Sequence, residues 1–292
     1  MIRIGINASG GDFGAEVVGP AAVEAAQENP SLEVVLYSCY PMNDIRVSNL
    51  TIITCRHADH ELSQAFQDMA EGKLDTVITA TASARLLVTI RHYLEDGIRR
   101  PGLIAPFPTR SEHKLSYVMD VGATAKVNDP VVFIGWAGLG YRFIKKQTGI
   151  LAPTIGLLNI AAERACPEIS AIDKELADLP LYLGYVEPKD FFDGKVDLLL
   201  TDGFGGNWIL KWTERLCDFV FEGILQATAS CLSEEAYQEI RKLQRGLISY
   251  DAHLVSPLLG IKGGIVFRVH GAATLKQIAK AFGVVSTRYK FD

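Results

Sequence analysis

After three strand-like runs in this chain of 292 residues, glycine is combined with a carboxylate: Gly10-Gly11-Asp12, Asp120-Val121-Gly122-Ala123 and Asp202-Gly203-Phe204-Gly205-Gly206-Asn207. Glycine carries no Cβ, so backbone N–H groups beside it can close on a ligand, and the first turn of a helix adds unpaired donors. This is anion-binding chemistry. Asn207 is placed to cap a helix running to Gln226 and to leave its N–H groups facing a ligand. A tight turn accounts for any one cluster equally well. Three of them, each following a strand-like run, point to a site.

Histidine offers two further candidates. His270 follows the strand-like Ile265 to Val269 and precedes Gly271, which fits either a buried, hydrogen-bonded imidazole or a donor at the same loops. His57 and His60 stand three apart beside Asp59 and Glu61. That spacing can ligate a metal, but a solvated helix entrance is far commoner, so no metal is expected there. GxSxG, P-loop, HExxH and GxGxxG patterns are absent, which removes the familiar serine-hydrolase, nucleotide and zinc-protease readings. Five cysteines (Cys39, Cys55, Cys166, Cys217 and Cys231) form no CxxC pair. An odd, dispersed set implies reduced thiols rather than a disulfide framework or zinc. A net charge of -5 gives no field that would attract nucleic acid. No signal peptide or spanning stretch is visible, and a cytoplasmic location is expected.

The elements that must position these residues alternate. Strand-like runs are Arg3–Asn7, Glu33–Tyr37, Thr51–Thr54, Thr76–Thr79, Gly102–Ala105, Ser116–Met119 and Asp197–Leu200. Helical periodicity fills Ala15–Glu28, Glu61–Glu71, Ser83–Glu95, Pro130–Gln147, Asn207–Gln226 and Glu234–Gln244. Such alternation predicts an α/β fold with a mostly parallel sheet covered on both faces, ligands binding at the carboxyl ends of its strands. No composed linker is visible, so residues 1–292 read as one α/β domain of two interleaved lobes. Residues 246–264 read as a loop with an apolar centre, Leu254 to Ile261. That centre is either a buried connector or an exposed lip that touches an acyl chain, a partner or a membrane surface.

Across almost the whole chain, a set of short motifs resembles the PlsX family of phosphate:acyl-acyl-carrier-protein acyltransferases. They are, in the family's order, Gly10-Gly11-Asp12, Arg100-Pro101 with Pro108-Thr109, Asp120-Val121-Gly122-Ala123, Gly156-Leu157-Leu158-Asn159-Ile160, Val196-Asp197 through Asp202-Gly203-Phe204 and Gly206-Asn207, and Pro257-Leu258-Leu259-Gly260 with His270-Gly271. The resemblance implies a three-layer α/β/α sheet like that of phosphotransacetylases and the isocitrate dehydrogenase group, in two lobes with a cleft, and a homodimer. It implies acyl phosphate formation from an acyl-carrier-protein thioester and inorganic phosphate, in fatty acid and phospholipid synthesis, without a cofactor. Peripheral membrane contact through 254–261 is implied if that segment is exposed. Lys145, Lys146, Arg241, Lys242 and Arg245 are candidates to meet an acidic carrier protein.

Phosphate is itself the nucleophile in that reaction, so no serine or cysteine relay is required. Gly10, Gly11, Asp12, Asp120, Gly122, Gly203 and Gly206, with Ser83 and Arg85, are the expected substrate-binding residues. Asp202, Asn207, His270 and Asn159 are the expected catalytic ones, Asn159 or His270 stabilising the oxyanion and the aspartates orienting donors. The chain departs from the family at Asn7, where aspartate is usual, and at Thr79-Ala80-Thr81-Ala82-Ser83-Ala84-Arg85-Leu86, where the family reads Ser-Ala-Gly-Asn-Thr-Gly-Ala-Leu. Arg85 could replace lost donors with a charged fork. Two alternatives stay open: a paralogue that binds acyl carrier or acyl ligand without turnover, and a phosphotransacetylase-like enzyme that uses acyl-CoA.

Overall fold

A computed structural model describes residues 1–42, 45–111, 114–161, 165–247 and 254–291, without the side chains of 245–247. The chain divides into two compact units, Met1–Leu103 with Leu254–Asp292, and Ile104–His253, so the second is inserted into the first.

In the first unit, the strands Ile2–Asn7 (β1), Leu32–Ser38 (β2), Leu50–Thr54 (β3) and Thr76–Thr79 (β4) run parallel with Gly264–Val269 (β11) in the order β3-β2-β1-β4-β11. Side chains alternate along each strand. Ile4, Ile6, Val34, Leu36, Phe267 and Val269 therefore share one face, where they are buried under the helices Ala15–Glu28 (α1) and Leu275–Arg288 (α9). Ala21, Ala22, Ala25 and Ala26 make that side of α1 narrow enough to pack closely. Tyr37 points to the opposite face and donates to Asp68 of the helix Ala58–Ala70 (α2) at 2.7 Å, so helices cover both sides. The helix Ser83–Ile90 (α3) follows β4.

The segment expected as a loop is a strand. Val255–Ile261 (β10) pairs antiparallel with β11 and with the first residues of Gly102–Pro108 (β5), and six of its seven residues are buried. A strand enclosed on both faces reads as one apolar run without alternation, and Pro257 and Gly260 disguise it further. Burial favours the connector reading of 254–261 over an exposed lip: only Leu254 and Ser256 are half-buried and none of the segment is exposed.

In the second unit, Leu115–Met119 (β6) pairs antiparallel with the rest of β5 and parallel with Leu198–Leu200 (β9), which continues through Ile155–Leu158 (β7) to Tyr182–Val186 (β8). The helix Pro130–Thr148 (α4) opens on Pro130, with Asp129 accepting from the Val131 N–H at 3.0 Å, and closes on left-handed Gly149. Pro167–Leu176 (α5) lies against α4, and Pro188–Phe192 (α6) precedes β9. Gly203–Thr228 (α7) and Glu234–Leu247 (α8) complete the unit. Among the described residues, no helix is long and apolar enough to cross a membrane.

Candidate functional site

Because β1, β4 and β11 are parallel, the segments leaving them emerge at one edge of the first unit. Gly11 there has φ +80°, and a Cβ on it would lie 2.9 Å from the Gly271 carbonyl oxygen. Only glycine serves at that point. The Asp12 N–H donates to the same oxygen at 2.8 Å, which ties the loop after β1 to the His270-Gly271 turn. Asp12 is exposed and Gly10 is buried. His270 is exposed, so the reading of a buried imidazole does not hold. Its Nδ1 accepts from the Ala272 N–H at 3.3 Å, which assigns the proton of the neutral ring to Nε2. The outward nitrogen is then a donor.

Asn7, buried at the end of β1, accepts from Thr79 Oγ1 at 2.7 Å and donates to Thr81 Oγ1 at 3.2 Å. Thr79 and Thr81 of the 79–86 departure thus build a neutral polar network with Asn7, and α3 starts within the departure, at Ser83. Its N-cap Ala82 supplies no side-chain acceptor, so the helix opens uncapped with Ser83 at its first position. Ala84 lies within the helix and needs no left-handed backbone. Arg85 does not reach back as a fork toward that edge; it pairs with Asp59 of α2 at 2.7 Å on the surface. Glu61, grouped in sequence with a solvated helix entrance, is fully buried. It accepts from the Ser9 N–H at 2.7 Å and the Cys39 N–H at 2.8 Å, fastening the loops after β1 and β2. Its helical neighbours Leu62, Ala65 and Phe66 mark that face as inward, the signal the histidine spacing obscures. Among the described residues no group of three potential metal ligands exists.

In the second unit β6, β7 and β9 are parallel, and Asp120, Asn159 and Asp202 leave them at one edge. Asp120 is fully buried. Its Oδ1 accepts from the N–H groups of Gly122 at 3.1 Å and Ala123 at 2.9 Å, and its Oδ2 from Thr124 N–H at 2.7 Å and Thr124 Oγ1 at 2.8 Å. The orienting role expected of Asp120 has a definite form: it curls residues 120–124 around its own carboxylate. The Gly122 N–H is spent there rather than left for an anion.

Asp202, not Asn207, caps α7, which begins four residues earlier than expected. Its carboxylate accepts from the Gly205 N–H at 2.7 Å, and its carbonyl from the Gly206 N–H at 2.9 Å. Asn207 lies one turn inside the helix and is exposed, its Cβ 3.2 Å from where a Cβ on Gly122 would stand. Gly203 and Gly206 stand where the packing admits no Cβ. A Cβ on Gly203 would lie 2.0 Å from the Thr124 carbonyl oxygen, and one on Gly206 1.9 Å from that of Asp120. The helix start is thus pressed onto the 120–124 loop. Asn159 is buried after β7, with Nδ2 donating to the Ala161 carbonyl at 2.6 Å.

Of the basic candidates, Arg241 stacks over Tyr237 and bonds Gln244 at 2.8 Å, and Lys242 pairs with Glu239 at 3.6 Å. The Arg245 side chain lies outside the described residues.

Each unit therefore carries glycine, carboxylate and amide groups at the carboxyl edge of a parallel sheet. This two-unit α/β fold is shared by solved structures. A branched-chain phosphotransacylase from Enterococcus faecalis V583 matches with a TM-score of 0.63 over 100% of both chains at 12% identity. A phosphotransacetylase from Streptococcus pyogenes matches with a TM-score of 0.63 over 98% of this chain and 94% of its own, also at 12% identity. The family described as "fatty acid synthesis protein" matches residues 47–287, and the chain belongs to it. Curated relatives named phosphate acyltransferase include that of Methylococcus capsulatus, 28% identical over 96% of this chain and 91% of its own. That of Photobacterium profundum is 26% identical over 97% and 91%.

Proposed function

We propose that this chain is a phosphate acyltransferase that converts an acyl-acyl-carrier-protein thioester and inorganic phosphate to acyl phosphate and the free thiol. Family membership supports this, as does the name carried by the curated relatives. The observation that carries the chemistry is His270. Its outward Nε2–H sits beside a backbone turn and, among the described residues, has no serine or cysteine to activate. A donor without a nucleophile suits a reaction in which the nucleophile arrives as substrate.

A phosphate oxygen attacks the thioester carbonyl carbon, and the carbonyl oxygen takes the electron pair and becomes an oxyanion that His270 stabilises. As the carbonyl reforms, the carbon–sulfur bond breaks and the sulfur leaves as a thiolate. It is protonated by the proton that hydrogen phosphate gives up. Within the second unit, Asp202 and Asp120 are positioning residues that fix the start of α7 and the 120–124 loop, and Asn159 and Asn207 are presented from the same edge. The N–H groups of Gly203 and Phe204, the first two of α7, have no intrahelical acceptor.

Inorganic phosphate and the acyl carrier are the partners of this reading, and the protein acts as a cytoplasmic homodimer. One side of α7, with Phe204, Trp208, Trp212, Leu216 and Phe219 exposed, is larger than isolated surface apolar residues and supports self-association.

Incubation with acyl-carrier thioester or acyl-CoA plus phosphate, with acyl phosphate trapped as hydroxamate, tests the reading. Product from the carrier thioester is expected, and His270→Ala should cut kcat by about 10²-fold or more. Because the residue is exposed, the fold should survive. Product from acyl-CoA alone would move the assignment to the phosphotransacetylase type, and no product from either would leave a binding protein.

A further inference from the structure

Arg268 is the penultimate residue of β11. Phe267 and Val269 enter the α1 and α9 core, so alternation puts Arg268 on the opposite face. Strand register sets it beside Thr79 of β4 and Ser256 of β10, and the Asn7–Thr79 hydrogen bond extends the row onto β1. Four adjacent strands thus present Asn7, Thr79, Arg268 and Ser256 side by side. They stand just before the loops that carry Gly10, Gly11 and His270. Three of the four are neutral and one is a cation.

That cation is uncompensated. Arg268 Nε is buried with no hydrogen-bond partner among the described residues, and no carboxylate there pairs with the guanidinium. Other arginines of the chain behave differently: Arg3 pairs with Asp75 at 2.8 Å, Arg85 with Asp59 at 2.7 Å and Arg110 with Asp193 at 3.4 Å. Burial alone pushes the guanidinium below its usual pKa. The Arg268 side chain is half-buried with its Nε fully enclosed, and a partly desolvated, unpaired charge opposes folding, a penalty that a ligand of opposite charge reduces. The uncapped N-terminus of α3, four residues after Thr79, offers N–H groups to the same kind of ligand.

We infer that Arg268 is the cationic contact for a phosphate oxyanion at this edge of the first unit, and that its occupant is the inorganic phosphate of the acyl-transfer reaction. A guanidinium fork beside Thr79 and Ser256 hydroxyls matches the oxygens of a phosphate. The inference rests on the phosphate acyltransferase reading for the identity of the ligand, but the contact itself can be tested without turnover.

The full-length chain and its Arg268→Met and Arg268→Lys variants would be melted with and without inorganic phosphate. Phosphate should raise the melting temperature of the wild type by a few degrees, on the order of 2–5 °C at saturating concentration. The shift should vanish in Arg268→Met and persist in part in Arg268→Lys. Without phosphate, Arg268→Met should melt at or above the wild type, because the unpaired charge is gone. A structural arginine would give the reverse. An undiminished phosphate shift in Arg268→Met, or no shift in the wild type, overturns the inference.

In the acyl-transfer assay, Arg268→Lys should raise KM for phosphate about tenfold and leave KM for the acyl carrier unchanged. A rise confined to the carrier would assign the contact to the carrier's phosphodiester and overturn the choice of inorganic phosphate. If the wild type makes no acyl phosphate yet phosphate stabilises it through Arg268, the enzymatic reading falls and the oxyanion contact stands. If turnover proceeds and KM for phosphate is unmoved by Arg268→Lys, the contact falls and the enzymatic reading stands.

Discussion

Replacing Gly206 by alanine tests whether the glycines of the Asp202-to-Asn207 segment are there for packing. The added Cβ would sit 1.9 Å from the Asp120 carbonyl oxygen and 2.9 Å from its carbon. An ordinary carbon–oxygen approach is about 3.3 Å, so one backbone must retreat by roughly 1.4 Å. Asp120 has little room to do so, since it is fully buried and its carboxylate holds four hydrogen bonds. Overpacking of this kind costs about 1–3 kcal/mol, and losing even one charge-assisted bond adds about 1.5 kcal/mol or more. Against this, alanine in place of glycine within a helix gains about 0.5–1 kcal/mol. The net is a loss of about 2–4 kcal/mol.

Gly223, in the same helix and with nothing within 4 Å of its would-be Cβ, is the control. There alanine should stabilise by about 0.5–1 kcal/mol. Urea denaturation followed by circular dichroism separates the two: Gly206→Ala should lower the midpoint by about 1 M and Gly223→Ala should raise it slightly. Equal stabilisation by both substitutions would refute the argument from close approach.

Asp120→Asn should destabilise by about 2–4 kcal/mol in the same assay, because an amide NH₂ must face donors that now meet a carboxylate; an effect under about 0.5 kcal/mol would contradict the four-bond loop. Burial is the main cause that pushes the Cys55 thiol up to about 11. The folded state therefore favours the neutral thiol, and that contribution to stability is present below about pH 8.5 and lost as pH rises through about 11. At pH 8, iodoacetamide should modify exposed Cys166 and Cys231 and spare Cys55 until the protein unfolds, as read by mass spectrometry. Phe219→Glu, at a position 75% exposed on α7, should shift sedimentation toward a monomer if that face pairs two copies; an unchanged sedimentation coefficient would remove α7 from the interface.

Much of the architecture is legible because burial writes itself into residue type. Parallel strands such as Glu33–Tyr37 and Asp197–Leu200 are aliphatic on both faces, and α1 runs over the residues its periodicity predicts. What escapes is local choice overruled by neighbours. Glycine has low helix propensity, so Gly203 to Gly206 read as a loop, yet the space against residues 120–124 admits nothing larger and the helix begins there. β10 lacks alternation because both its faces are covered. α9 is missing from the helices that periodicity picks out, although Thr274 and Gln277 form a capping box that announces it. At the site, Asn159 is picked out only by the family resemblance, whereas the positions of Asp120, Asp202 and His270 at strand ends are readable from pattern. Their hydrogen bonds are not, since the partners of Asp120 depend on a backbone path that composition leaves free. Arg268 is hidden within a strand-like run, where only the register reveals that it stands among neutral neighbours.

The insertion of the second unit into the first governs how the chain can be made. Thr76 of β4 donates its hydroxyl proton to the Ile265 carbonyl, a partner 189 positions later. At a translation speed of about 5–20 residues per second, that neighbour emerges from the ribosome roughly 10–40 s after its strand. Throughout that interval β4 stands as an open margin, able to recruit any extended segment that passes, and the core beneath α1 lacks α9. The nascent protein thus spends its vulnerable period waiting for its C-terminal segment, which makes the tail, rather than the glycine-rich front, the part that commits the first unit to its native form.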